Sequence, residues 1–211
     1  MIGQNRSLSE VVKVENKQPK SKTSIIDRGP MPVIILTVIT VVCVVALALT
    51  SNLTQEARDE QEAEAALSVQ REFFPAAEEF ADVELDQIVT EYPGVTKIVE
   101  ALDGSGNRLG FVITAEAMGY GGPIPATVGY DNDGQIVGTR FEVSGETAGY
   151  GQNAAKPEFN NQFTAFNASQ KLSADKGSTD TVIDGITGST RSTKGIVDAL
   201  NQAAGAFLLL N

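Results

Sequence analysis

The stretch "TKIVEALDGSGNRLGFVITAEAMGYGGPIPATVGYDNDGQIVGTRFEVS", residues 96–144, decides the fold. Its runs "TKIVEAL", "NRLGFVITAEA", "IPATVGY" and "QIVGTRFEVS" are rich in β-branched and aromatic residues. The separators "DGSGN", "GYGGP" and "DNDG" carry the Gly, Asn and Asp that tight turns require. Strands joined by so few residues pair antiparallel, because a parallel crossover needs a dozen or more. Residues 96–144 therefore predict an antiparallel sheet.

Two separators imitate ligand-binding motifs. "GSGNRLG", Gly104 to Gly110, resembles a dinucleotide fingerprint but has one residue too many and lies between hairpin strands instead of opening a helix. "DNDG", Asp131 to Gly134, begins like a calcium loop, yet the position for its bidentate Glu falls at Glu142, inside a predicted strand. Both read as turns.

Toward the N-terminus, "TQEARDEQEAEAALSVQREFFPAAEEF", Thr54 to Phe80, is dense in helix-forming Ala, Glu, Gln and Arg. It predicts a juxtamembrane helix broken near Pro75, with Leu67, Phe73 and Phe74 turned toward a core. Further upstream, "VIILTVITVVCVVALAL", Val33 to Leu49, holds no charge. With its flanks, Met31 to Leu53, it makes about 34 Å of helix, enough to cross a hydrocarbon core of about 30 Å. A cleaved signal peptide and a buried core helix are the competing readings, but a signal's apolar region is shorter and soluble domains seldom need so long an uncharged run. Residues 1–29 carry Arg6, Lys13, Lys17, Lys20, Lys22 and Arg28 against Glu10, Glu15 and Asp27, an excess of +3 in a chain of net charge −11. The positive-inside rule then keeps the tail in the cytoplasm and sends the rest across the membrane.

Toward the C-terminus, the chain becomes loop-like at "GETAGYGQNAAKP", forms a short helix around Glu158 to Phe166, and reaches a brief strand near Thr181 to Ile183. "STKGIVDALNQAAGAFLLL" then has helical apolar spacing at Ile196, Val197, Leu200, Ala203, Ala204 and Phe207. Between strand and helix lies "DGITGSTRST", residues 184–193. Small residues there permit close backbone approach, and free N–H groups at a helix start attract anions, so the turn predicts a phosphate site; an ordinary Ser/Thr-capped helix is the plainer reading.

The pattern Asp184, Thr187, Gly188, Ser189, Thr190 resembles the flavinylation motif of FMN-binding domains. The loops "GYGGPI", with Tyr120, Gly121 and Gly122, and "ETAGYG", with Glu146, Thr147, Gly149, Tyr150 and Gly151, extend the resemblance to the RnfG subunits of Rnf electron-transport complexes and, more distantly, to the NqrC subunits of sodium-pumping quinone reductases. The resemblance implies that a flavin transferase moves the FMN moiety of FAD onto the Thr190 hydroxyl as a phosphoester, and that the ETAGYG loop lies beside the flavin ring. It also implies partners among the other membrane subunits (the A, B, C, D and E types) and a role as electron relay, not catalytic alone. The chain departs from the family where Ala148 and Tyr150 replace a Pro and a Leu and where Ser189 replaces an Ala; the extra hydroxyl of Ser189 could compete as acceptor.

Composition limits the alternatives. The chain of 211 residues has no His and a single Cys, Cys43, inside the apolar segment. His-based zinc sites, Ser-His-Asp and Cys-His catalysis and His-linked flavin are excluded, and no metal is expected. The negative charge makes nucleic acid an unsuitable partner. The prediction is an α+β protein: a cytoplasmic basic tail over 1–30, one transmembrane helix over 31–53 in a bacterial cytoplasmic membrane and its lipid, the juxtamembrane helix over 54–80, and an extracytoplasmic FMN-binding domain over 81–211 with a mostly antiparallel sheet and flanking helices. The competing functions are a flavin-free extracytoplasmic binding module and an FMN-domain electron donor to another reductase.

Overall fold

The computed structural model describes residues 30–211; the basic tail lies outside them. The chain divides into two compact units, 1–58 and 59–211. In the first, the apolar segment is the beginning of helix α1 (Met31–Phe73). Its residues Met31–Ser51 are long and apolar enough to cross a membrane and are not buried by any of the described residues. The polar groups within the segment are satisfied locally: Thr37 Oγ1 donates to the Val33 carbonyl at 2.8 Å and Thr40 Oγ1 to that of Leu36 at 2.9 Å. Thr50 Oγ1 donates back to the Ala46 carbonyl in the same way, at 2.9 Å, so these threonine hydroxyls need no partner from lipid.

In the second unit α1 stops at Phe73, ahead of the boundary at 80 that its composition suggests. Pro75 lacks an N–H and disfavours helical backbone at Phe74, so the chain turns there. The next element is a strand, β1 (Glu79–Asp82). A single turn α2 (Ile88–Glu91) leads to β2 (Val95–Leu102), β3 (Arg108–Met118), β4 (Pro123–Asp131) and β5 (Ile136–Phe141). The five strands form one antiparallel meander in chain order. The β2–β3 and β4–β5 turns share one construction. Asp103 Oδ1 accepts from the N–H of Ser105 and Asn107 at 2.8 and 2.9 Å, and Asp131 Oδ1 from those of Asp133 and Gln135 at 3.0 and 2.9 Å. Both motif-like separators are thus Asx turns, with their acids used on the backbone.

Alternation gives the sheet two faces. On one, Ile98, Phe111, Ile113, Ala115, Ile124, Ala126, Val128 and Tyr130 pack against Ile196, Leu200, Ala203 and Phe207 of the C-terminal helix α4 (Thr190–Leu210). On the other, Val99, Ala101 and Val112 meet Phe73 and Phe74 at the end of α1. Leu67 stays outside this second cluster, and partly buried Val69 joins it instead. Close approach of the Phe73 ring requires glycine below it: a Cβ on Gly129 or Gly138 stands 2.9 or 2.5 Å from that ring.

After β5 come a 3-10 turn (Gly151–Ala155), the one-turn α3 (Pro157–Asn160) and a second 3-10 turn (Asn161–Ala165), in place of the single short helix that the sequence predicts. Their Phe159 and Phe163 pack edge-on with Phe141. A two-residue parallel pair, β6 (Leu172–Ser173) and β7 (Thr181–Val182), then delivers the chain to the loop before α4. Of the terminal "AFLLLN", Phe207 is buried beside Phe111 and Tyr130, while Leu208 and Leu209 stay exposed.

Candidate functional site

Helix α4 starts against the end of β3. A Cβ on Gly195 sits 2.7 Å from the Met118 carbonyl oxygen, so only glycine lets the helix lie this close. That placement brings the residue 184–190 loop, the 119–122 loop and the 146–151 loop around one cleft of about 310 Å³. Tyr120, Glu146, Thr147, Tyr150, Gly188, Ser189, Thr190 and Arg191 line it.

Seven of the residues singled out in the sequence therefore face a common space. The others stand close by with different tasks. Gly121 gives its N–H to Glu146, Gly122 accepts from the Gly119 N–H, and Gly149 adopts φ +78° in the turn before the first 3-10 segment. Gly151 packs behind Glu146. Asp184 and Thr187 line two neighbouring hollows of about 430 and 300 Å³ and not the cleft itself. Gln162 holds Asp184 by its backbone, accepting from the N–H at 2.9 Å and donating to the carbonyl at 3.2 Å.

The helix start differs from an ordinary cap. Ser189 occupies the N-cap position but makes no side-chain bond to a first-turn amide; its hydroxyl instead meets Ser192 Oγ at 2.7 Å. Ser192 Oγ donates to Glu146 Oε2 at 2.5 Å. Thr193 ties the loop down, its Oγ1 accepting from the Ile186 N–H and donating to the Ser189 carbonyl, both at 3.0 Å. The N–H groups of Thr190, Arg191 and Ser192 have no hydrogen-bond partner among the described residues, nor does the exposed Thr190 hydroxyl. These are donors of the kind that bind an anion.

Glu146 is oriented inward. It is 5% exposed, and its Oε1 accepts from the N–H of Tyr120 and Gly121 at 3.0 and 2.9 Å. The carboxylate thus fastens the 119–122 loop to the start of α4 and forms the floor of the cleft.

Sequence reasoning passed over Arg191 and Ser192. Arg191 Nε donates to the Gly119 carbonyl at 3.0 Å, which holds the guanidinium in the cleft beside Thr190. A cation adjoining a suspected phosphate acceptor was the available signal. Ser192 gave none, because its role depends on a carboxylate 46 positions away.

A model of the FMN-binding domain family matches residues 119–205, the segment that contains all three loops and most of α4. That segment, with the loops that line the cleft, is thus similar to an FMN-binding domain. The chain is 31% identical over 182 residues to the G subunit of the Na(+)-translocating ferredoxin:NAD(+) oxidoreductase complex of Acetobacterium woodii, a match that covers 81% of this chain and 87% of that relative. It is 29% identical over 172 residues to the G subunit of the ion-translocating oxidoreductase complex of Methanosarcina acetivorans, covering 81% and 90%. The chain belongs to the family of these G subunits, the RnfG family. A solved structure, that of the C subunit of the Na(+)-translocating NADH-quinone reductase of Parabacteroides distasonis, matches with a TM-score of 0.47 at 20% identity, over 63% of this chain and 76% of that one.

Proposed function

We propose that this chain is a single-pass membrane flavoprotein whose FMN is joined through a phosphoester to Thr190, and that it relays electrons within an ion-translocating ferredoxin:NAD oxidoreductase complex. The start of α4 carries this reading: an exposed, unpartnered hydroxyl at Thr190, three unpaired first-turn amides and the Arg191 guanidinium share one cleft.

The donor set suits the cofactor. A phosphate finds amide donors, a fixed cation and the positive end of the helix dipole, whose contribution is about 0.3–1 kcal/mol. Two tyrosines flank the cleft, Tyr120 at 70% and Tyr150 at 54% exposure, and aromatic faces so open to water are suited to covering a flavin ring. Thr147 offers a polar contact in the same cleft. When bound, FMN supplies one- and two-electron transfer. Thr190 fixes its phosphate end, Arg191 neutralises the charge there, and the 119–122 and 146–151 loops orient the ring.

Attachment needs a flavin transferase. The Thr190 oxygen forms the new P–O bond as the pyrophosphate of FAD breaks and AMP leaves. Asp184, held at its backbone by Gln162, keeps an exposed side chain at a hollow beside the attachment loop. The remaining partners are membrane lipid around Met31–Ser51 and the other subunits of the complex, with the flavin domain on the outer face of a bacterial cytoplasmic membrane.

Thr190→Val tests the site. Thr190 is exposed and makes no hydrogen bond, so stability changes by no more than about 0.5 kcal/mol. Flavin fluorescence in a denaturing gel should disappear while the protein still inserts and assembles. Wild-type covalent flavin mapped to another residue overturns the assignment.

A further inference from the structure

Five hydroxyl groups crowd the start of α4, and only one of them is the proposed acceptor: Thr187 and Thr190 are exposed, Thr193 is buried against the loop backbone, and the serine pair Ser189 and Ser192 is buried at 9% and 0% exposure. The buried pair is joined in series to Glu146, from Ser189 Oγ to Ser192 Oγ at 2.7 Å and on to Glu146 Oε2 at 2.5 Å.

An ionised carboxylate only accepts hydrogen bonds. Ser192 must therefore donate its single proton to Glu146, and its oxygen accepts from Ser189. The proton of Ser189 is committed inward in turn. Glu146 has no cationic partner within salt-bridge reach among the described residues; the backbone N–H groups of Tyr120 and Gly121 hold it from the other side. Glycines pack tightly against the carboxylate, since a Cβ on Gly119 would sit 2.5 Å from Glu146 Oε1 and one on Gly151 2.6 Å from Glu146 Oε2.

We propose that Glu146, acting through Ser192, is a positioning residue that silences the Ser189 hydroxyl and leaves Thr190 as the acceptor of the flavin phosphoryl group. Attack on phosphorus requires the hydroxyl proton to depart to a base of the transferase as the P–O bond forms and AMP leaves with the electron pair of the broken pyrophosphate bond. Thr190 keeps its oxygen and proton exposed in the cleft, whereas the Ser189 oxygen is buried and turned inward by its bond to Ser192, out of position to attack phosphorus. The chain thereby answers the competition raised by a serine next to the acceptor threonine. This inference rests on Thr190 being the attachment site.

The test uses the full-length chain in membranes, co-expressed with a flavin transferase in FAD-containing cells, with the modified peptide located by mass spectrometry. Thr190→Val alone should carry no flavin on Ser189. Adding Glu146→Gln keeps an acceptor for Tyr120 and Gly121 but removes the carboxylate charge that anchors Ser192, which weakens the hold of Ser192 on the Ser189 hydroxyl. Thr190→Val with Ser192→Ala frees the same hydroxyl to turn toward the cleft without changing Glu146. Each double variant should raise flavin on Ser189 at least tenfold over Thr190→Val, and adding Ser189→Ala should abolish it. A residue that merely supported the fold would lower total flavin and would not move it by one position.

Flavin on Ser189 in Thr190→Val alone overturns the proposal. So does a failure of both double variants to gain flavin while each retains the wild-type melting temperature. Wild-type flavin on a residue other than Thr190 overturns the attachment reading as well, and is recognised because Thr190→Val then keeps its full fluorescence.

Discussion

Arg191 shows how a single side chain can be legible in type and still be passed over. The motif around Thr190 draws attention because small residues and hydroxyls cluster there, whereas one arginine in a helix ordinarily reads as solvated surface. Its meaning depends on the Gly119 carbonyl, 72 positions earlier, which pins Nε and holds the guanidinium in the cleft. A hydrogen bond to a charged group is worth about 1.5–3 kcal/mol. Arg191→Met should therefore slow flavin transfer to Thr190 about tenfold or more, measured as the time course of gel fluorescence with purified transferase and FAD. Gly188 sets the loop in a second way, with φ +75° and Tyr150 ring carbons 3.1 Å from where a Cβ would stand. Gly188→Ala should lower stability by about 1–2 kcal/mol, the cost of left-handed backbone for a residue with a Cβ, visible as a reduced melting temperature. Asp103 carries the pH response of the β2–β3 turn. Hydrogen bonds from the Asn107 side chain first, then from the backbone of Asn107 and Ser105, hold its carboxyl below the ordinary value of 3.8. A depressed folded-state pKa means that its stabilisation is in place at neutral pH and above that value, and is lost only as pH falls below it. An acid titration of the Asp103 carboxyl followed by NMR should place the midpoint under 3.8.

At the scale of elements, the strands that alternate cleanly are readable in the sequence and those made by distant pairing are not. β3 announces itself through Phe111, Ile113 and Ala115 on one face and Val112 on the other. β1 does not: "EFAD" follows an Ala- and Glu-rich run, and its strand state comes from pairing Phe80 with Ala101 in β2. Local propensity favours helix, and long-range hydrogen bonds prevail. The same limit hides the covering of the outer sheet face. The sequence turns Phe73 toward a core, but its seat over Gly129 and Gly138 depends on how β4 and β5 register, Gly129 lying opposite Gly138. Phe73→Ala leaves those glycines facing a void, and a buried Phe→Ala change costs about 3–5 kcal/mol. Chemical denaturation should report a loss in that range. Because Phe73 touches the sheet face opposite α4, the variant should still accept flavin at Thr190 wherever it remains folded, a separation of stability from attachment that a change at Leu200 in α4 would not give.

For the whole molecule, composition determines organisation more than any motif does. An uncharged segment, Met31–Ser51, stands between a tail with an excess of three positive charges and a remainder carrying −14. Such asymmetry governs insertion, because basic residues close to a span are retained on the cytoplasmic side while acidic residues contribute little to the choice. The unit 59–211 holds the cleft and Thr190, so orientation decides on which face electrons enter and leave this protein. In right-side-out vesicles an added protease should digest the flavin domain and release its fluorescence, leaving an epitope placed at the N-terminus intact. Inverted vesicles should give the opposite pattern. Exchanging Lys13, Lys17, Lys20 and Lys22 for Gln reduces the tail from +3 to −1, and the rule then predicts a mixed population in which part of the domain stays cytoplasmic. If flavin transfer takes place only outside the membrane, that misoriented fraction should lack fluorescence although its Thr190 is intact. A wild-type tail cut in right-side-out vesicles, with the flavin domain protected, would invert the topology and with it the face on which the relay works.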